Sequence, residues 1–85
     1  MSEEVKVGEI VKYFAKPSVA AINVTGEIVL GDELRYVGAS TDFLEVVETM
    51  EVDNKSVIKA IPGMLLGIKV TERVRPNDIV FKVLV

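Results

Sequence analysis

The sequence contains no cysteine, no histidine, no tryptophan and no glutamine. Without cysteine there is no disulfide, no thiolate to bind zinc and no Cys nucleophile. Without histidine the commonest general base and the commonest metal ligand are both missing. No Gly-x-x-x-x-Gly-Lys-Ser/Thr loop is present, so neither a GTPase nor any other nucleotide site is expected. No cofactor or metal is expected either. No apolar run approaches the ~18 residues of a membrane helix. The start, Met1-Ser2-Glu3-Glu4, is acidic and lacks the basic and apolar regions of a signal peptide, so the expected location is the cytoplasm. Bases are outnumbered, 10 against 13 acids, for a net charge of −3. That balance argues against bulk electrostatic binding of nucleic acid, which needs clustered Lys and Arg; a local basic patch is compatible with it.

What is present is dominated by β-branched residues, valine above all. Val, Ile and Thr are stiff at χ1 and fit a pleated surface. Eighty-five residues make one domain. A chain of this size buries somewhat over ~60% of the surface its unfolded form exposes, and a 49% hydrophobic fraction can supply that core. Turn residues recur at short intervals, at Pro17-Ser18, Thr25-Gly26, Gly31-Asp32, Gly38, Asp53-Asn54, Pro62-Gly63 and Pro76-Asn77-Asp78. Short strands between such marks are the pattern of a sandwich or barrel. The expected fold is all-β, a small closed antiparallel barrel over residues 5–85 behind a disordered tail of residues 1–4. No repeat, linker or low-complexity segment interrupts it.

Strands are predicted over residues 5–14, 19–24, 28–30, 33–37, 43–52, 57–61, 65–70 and 79–85. Ala20, Ile22 and Val24 share one face of the second, and Leu34 and Tyr36 point inward from the fourth. Gly8 marks a bulge or close approach, and Gly67 another at a barrel corner. Residues 42–52 carry a rival helical pattern, because Phe43, Val46, Val47 and Met50 recur at spacings of three and four. A strand is preferred, since Val and Thr are poor helix formers and the flanks read as β. A bulge near Glu48-Thr49 then reconciles the apolar positions.

Several of these marks, taken in order, resemble domain II of the translational GTPases. Val7-Gly8-Glu9-Ile10-Val11 resembles its opening strand. Val29-Leu30-Gly31-Asp32-Glu33-Leu34 resembles its Gly-Asp turn, and Val47-Glu48-Thr49-Met50-Glu51 its "Val-x-x-Ile-Glu" strand. Ala60 to Ile68 resembles its "Ala-x-x-Gly-Asp-x-Val-Gly-Ile" segment. Small archaeal elongation-factor-like proteins are similar. Thr41-Asp42-Phe43 also looks like the C-terminal barrel of the U32 peptidase-like proteins, some of which act in tRNA modification. The first resemblance implies a noncatalytic binding module that contacts tRNA, rRNA or a translation-related protein. It aligns Glu51 with an acidic residue that packs near the terminal adenine of tRNA. The Asn that helps recognise the aminoacyl group is replaced by Leu65, and the acidic residue before it by Met64.

The sharpest charged feature is Lys69-Val70-Thr71-Glu72-Arg73-Val74-Arg75. If extended, it places Lys69, Thr71, Arg73 and Arg75 on one face, where Arg forks grip phosphate or carboxylate. The alternative is a solvated face that keeps an edge from pairing. Lys69, Arg73, Arg75 and Glu51 are the candidate contacts, with the loop Gly63, Met64, Leu65 and Gly67 beside them. Met64-Leu65-Leu66 after a Pro-Gly turn reads either as a docking patch or as a plug. Tyr13 and Phe14 alternate in direction, so one is core and one a stacking surface. Glu45, Glu48, Glu51 and Asp53 lack metal-loop spacing and read as a solvated face. Ser18, Ser40, Thr41 and Ser56 have no base partner, so no catalytic residue is assigned. The second functional reading is an accessory subunit of a separately encoded enzyme, docking through Met64, Leu65 and Leu84 without nucleic-acid contact.

Overall fold

The computed structural model describes residues 3–84, and within them every regular element is a strand. The order is β1 (Glu3–Phe14), β2 (Val19–Val24), β3 (Ile28–Val29), β4 (Glu33–Val37), β5 (Asp42–Val46), β6 (Met50–Val52), β7 (Lys55–Ser56), β8 (Lys59–Ala60), β9 (Leu65–Lys69) and β10 (Ile79–Leu84). Eight of them form one antiparallel sheet in the order β5-β4-β10-β1-β2-β9-β6-β7, and β3 pairs with β8 in a separate ribbon.

Strand β1 organises the sheet. Its first half pairs with β10 and its second half with β2, and Gly8 faces both Val80 and Val24. Register shifts at Lys6/Gly8 and Ile10/Lys12 bend it, as bulges do. Gly8 is needed for the approach. A Cβ there would lie 2.6 Å from Ile22 Cγ2 and 3.0 Å from the Asn23 carbonyl oxygen. The alternating apolar residues meet inside, with Ile22, Leu34, Tyr36, Leu66, Ile68 and Val80 fully enclosed. Tyr36 and Phe43 stack across β4 and β5 with ring centroids 4.8 Å apart.

The closed barrel expected from the sequence is not formed. Neither sheet closes, and the large one ends on the unpaired edges of β5 and β7. Residues 47–49 join β5, one end of the strand order, to β6, next to the other end, so the sheet curls until its ends face each other without a shared ladder. Val47 prolongs the contact with the β4 side: its N–H donates to the Asp32 carbonyl, and its carbonyl accepts from Gly31 N–H. Residues 42–52 are extended, as preferred over a helix, but as two strands with a break rather than one strand with a bulge. The strand expected over 57–61 is likewise split, with Val57 and Ile58 between β7 and β8.

Glu3 and Glu4, expected in the tail, pair with Leu84 and Val83 in β1. Met1, Ser2 and Val85 lie outside the described residues. Gly31 and Gly63 do make corners, with φ of 93° and 96°. Gly67 does not: it pairs regularly with Ala21 and Glu51, and a Cβ would meet only ordinary contacts. The tightest glycine is one the sequence did not flag for packing. Gly38, in the β4–β5 hairpin, lies against the buried carboxylate of Asp78.

Candidate functional site

The outer face of β1, β2, β9 and β6 carries the site. Cross-strand register sets Phe14, Val19 and Lys69 in one row and Lys12, Ala21, Gly67, Glu51 and Ser56 in the next. Ala21 and Gly67 have almost no side chain, so the middle of this face is hollow. The hollow is a groove of about 470 Å³ lined by Phe14, Pro17, Leu65, Glu51, Asp53 and Asn54. A second concavity of about 390 Å³ shares Pro17, Val19, Glu51 and Gly67 and extends it toward Lys69 and Ser56. Phe14 and Leu65 are exposed at its rim.

The local reasons are legible in the sequence. Asp53 and Asn54 adopt φ of 52° and 63°, the left-handed pair of a two-residue hairpin turn, and so place their side chains at the groove wall. Ser18, with φ 56°, closes the turn that brings Pro17 back over Val19. The arrangement can seat a flat or apolar group over Gly67 and Ala21, with the Glu51 carboxylate and the Lys69 ammonium as polar guides. Nothing in it pairs a nucleophile with a base.

Of the residues singled out from sequence, Lys69, Gly67, Leu65 and Glu51 converge on this face. Gly63 sits in the turn before it, its N–H donating to the Val24 carbonyl. Met64 packs against the core rather than presenting a patch, and its carbonyl accepts from Val24 N–H. The stripe over 69–75 does not form. The strand stops at Lys69, and Val70 and Val74 turn into the core. Arg73 leaves the outer face and lies over the Tyr13 ring, 5.7 Å from its centroid. Arg75 caps a turn, its N–H donating to Asp78 Oδ2 at 2.9 Å while its side chain is exposed. Tyr13 and Phe14 divide as expected: Tyr13 packs on the core, and Phe14 is exposed with Lys12 Nζ 5.0 Å from its ring.

Lys12 and Lys16 were missed by sequence reasoning. Their signal was their place on either side of Tyr13-Phe14. Four cations are ion-paired: Lys6 with Glu9, Lys59 with Glu27, Lys82 with Asp32, and Arg35 with both Glu4 and Asp42. The Arg35 guanidinium is held above its ordinary value, first by its hydrogen bond to Asp42 and then by Glu4. Among the described residues the other cations, Lys55 apart, are borne on the second half of β1, the turn after it, or β9 and the loop that follows it. Away from the groove, burial pushes the Tyr36 phenol up, and the Glu45 carboxylate adds to the shift.

Comparison with known proteins places this arrangement. A chain covering the C-terminal domain of a U32 peptidase-like protein from Geobacillus thermoleovorans superposes with a TM-score of 0.86 at 20% identity, over 91% of this chain and 90% of that one. Its selenomethionine variant gives the same TM-score at 19% identity, over 89% and 96%. In sequence, a collagenase of Porphyromonas gingivalis is 33% identical over 82 residues, and a protein named only as an uncharacterized protease of Methanocaldococcus jannaschii is 32% identical over 79. This chain is similar to the C-terminal domain of U32 peptidase-like proteins. These matches cover 94% and 92% of the chain but 20% and 19% of the relatives, so the chain spans about a fifth of their length. No family model matches it. Of the two resemblances in the sequence, these matches support the second; none of them carries the first, to translation factors. Among the described residues no helix is long and apolar enough to cross a membrane.

Proposed function

We propose that this chain is a noncatalytic accessory module of an enzyme of the protease-related kind, docking through the outer-face groove. The observation that carries this reading is the match of nearly the whole chain to one fifth of larger proteins named collagenase or protease. The groove supports it, because a hollow floor of Gly67 and Ala21 flanked by exposed Phe14 and Leu65 suits an apolar anchor better than a reaction. A chimera tests it. The segment of the P. gingivalis collagenase that matches this chain is deleted, and is then replaced by this chain. Deletion is expected to abolish collagen hydrolysis, and replacement to restore it. A deletion with no effect, or a folded chimera without activity, counts against the reading.

A second reading, contact with RNA, is favoured by the distribution of cations. Among the described residues Lys12, Lys16, Lys69, Arg73 and Arg75 have no ion-pair partner and gather about the end of β1, where Phe14 offers an exposed ring. Bulk tRNA titrated across a salt series measures it. Wild type is expected to bind with a steep salt slope, and Lys12→Ala with Arg73→Ala and Arg75→Ala to lose most of that slope. Absence of binding at low salt removes this reading.

A further inference from the structure

The large sheet has an unfinished edge. In the β4–β5 ladder, Gly38 N–H donates to the Thr41 carbonyl at 2.8 Å and Val47 N–H donates to the Asp32 carbonyl at 2.9 Å. Bonded positions alternate in an antiparallel pair. Tyr36–Phe43 and Leu34–Glu45 are therefore the bonded pairs within β5. Asp42, Leu44 and Val46 turn their N–H and C=O groups the other way. Among the described residues no strand pairs with β5 on that side. Among the described residues no backbone group bonds the Leu44 or Val46 amide.

Sheets blunt such edges with charged side chains, lysine above all, or with proline, a bulge or a covering segment. The sequence of β5, Asp-Phe-Leu-Glu-Val, has no lysine or proline, its register is regular, and its two carboxylates are engaged, Asp42 by Arg35 and Glu45 by Thr71. Leu44 and Val46 are exposed. A groove of about 380 Å³ lies along the strand's end, with Val46 and Glu48 on one bank and Lys69 and Thr71 on the other; the buried Val70 lines it too. The Glu45 carboxylate crosses it to accept from the Thr71 N–H and hydroxyl. The groove carries two carboxylates, Glu45 and Glu48, against the single ammonium of Lys69, and Glu33 stands beside Val46 across the ladder.

We infer that this edge is a strand-addition site for an extended segment of a protein partner whose side chains alternate between apolar and basic. The site rests on the accessory-module reading for its partner being a protein, and it adds a second contact, at the edge of the sheet. Main-chain bonds to Leu44 and Val46 supply the affinity. Apolar side chains on one face of the added strand cover Leu44 and Val46, and basic ones on the other face meet Glu45 and Glu48. A second copy of this chain is a poor occupant, because its own β5 and the residues after it bring Asp42, Glu45 and Glu48 and no base.

Amide hydrogen exchange read by NMR tests the site, with an end-blocked hexapeptide of alternating Lys and Val as the probe. In the free protein the Leu44 and Val46 amides are expected to exchange fast and those of Phe43 and Glu45 slowly. The Lys–Val peptide is expected to slow the Leu44 and Val46 amides by about tenfold or more, and a Glu–Val peptide to leave them unchanged. Leu44→Pro removes one free N–H without breaking a bond to β4, and is expected to weaken binding by about tenfold. Should that variant unfold, Leu44→Lys repels the same segment and leaves the strand intact, with the same expected loss. Equal binding of both peptides overturns the inference, as does unchanged affinity in the folded variants. Protection of Leu44 and Val46 that grows with protein concentration alone overturns it in favour of a second copy. The collagenase chimera fails or succeeds independently of all of these.

Discussion

Replacing Gly38 with alanine probes how the end of the fold is held together. The new Cβ would overlap Asp78 Oδ1 and lie 2.5 Å from its Cγ. Asp78 is buried, and its Oδ2 accepts the Arg75 N–H at 2.9 Å. Its backbone is tied as well, the carbonyl accepting from Ile10 N–H at 2.8 Å, so only the carboxylate can yield. Swinging it away breaks a hydrogen bond to a charged acceptor, worth about 1.5–3 kcal/mol, and leaves that charge partly desolvated. The expected loss is about 2–4 kcal/mol, which lowers Tm by about 10–25 °C in a domain of this size. Urea and thermal melts followed by far-UV circular dichroism measure it, since the chain has no tryptophan. Gly31→Ala is the control. At φ 93° with no atom within 4 Å, it carries only the cost of the left-handed backbone, about 1–2 kcal/mol. In an Asp78→Ala background the clash is gone, and Gly38→Ala is expected to cost under about 1 kcal/mol. A small loss in the wild-type background, or an equal loss in both, refutes the account.

Gly8→Ala forces a methyl against the buried Ile22 and the Asn23 carbonyl, and is expected to lower stability by about 1–3 kcal/mol in urea melts. Gly67→Ala meets only Val19 at 3.5 Å and the Glu51 carbonyl at 3.7 Å, so it is expected to raise the urea midpoint, by about 0.5–1 kcal/mol from the strand's lost flexibility. Tyr36 is protonated more readily folded than unfolded, because burial opposes the phenolate. Its contribution is therefore complete below the ordinary phenol value of about 10 and is lost as pH rises above it. Stability measured from pH 8 upward is expected to fall on the alkaline side, and Tyr36→Phe to remove that part of the fall.

Much of the site was visible in the residue pattern because it depends on period-two alternation. Lys69, Gly67 and Leu65 sit two apart on one strand, and any pairing of that strand keeps them on one face. Glu51 joins them through register, which the alternation constrains but does not specify. The basic stripe failed for a specific reason. Val70 and Val74 are four apart and both are drawn inward, which ends the strand and turns Arg73 toward Tyr13. Apolar burial outweighs continued alternation once the chain leaves its ladder. The weight of Lys12 and Lys16 went unread because it comes from their neighbours across β1 and β2, not from their own spacing.

The amino-acid sequence by itself determined that this protein is built of short antiparallel strands with turns at Gly31, Asp53-Asn54 and Gly63, because β-branched side chains and left-handed turn residues act locally. It also determined which face of β2, β4 and β9 is buried. Whether the sheet would close was decided only in three dimensions, by what is laid along the outer side of β5. Val47 still bonds Asp32 and Gly31 on the β4 side, residues 47–49 then cross to β6, and the Leu44 and Val46 amides are left facing a groove, which no local pattern records.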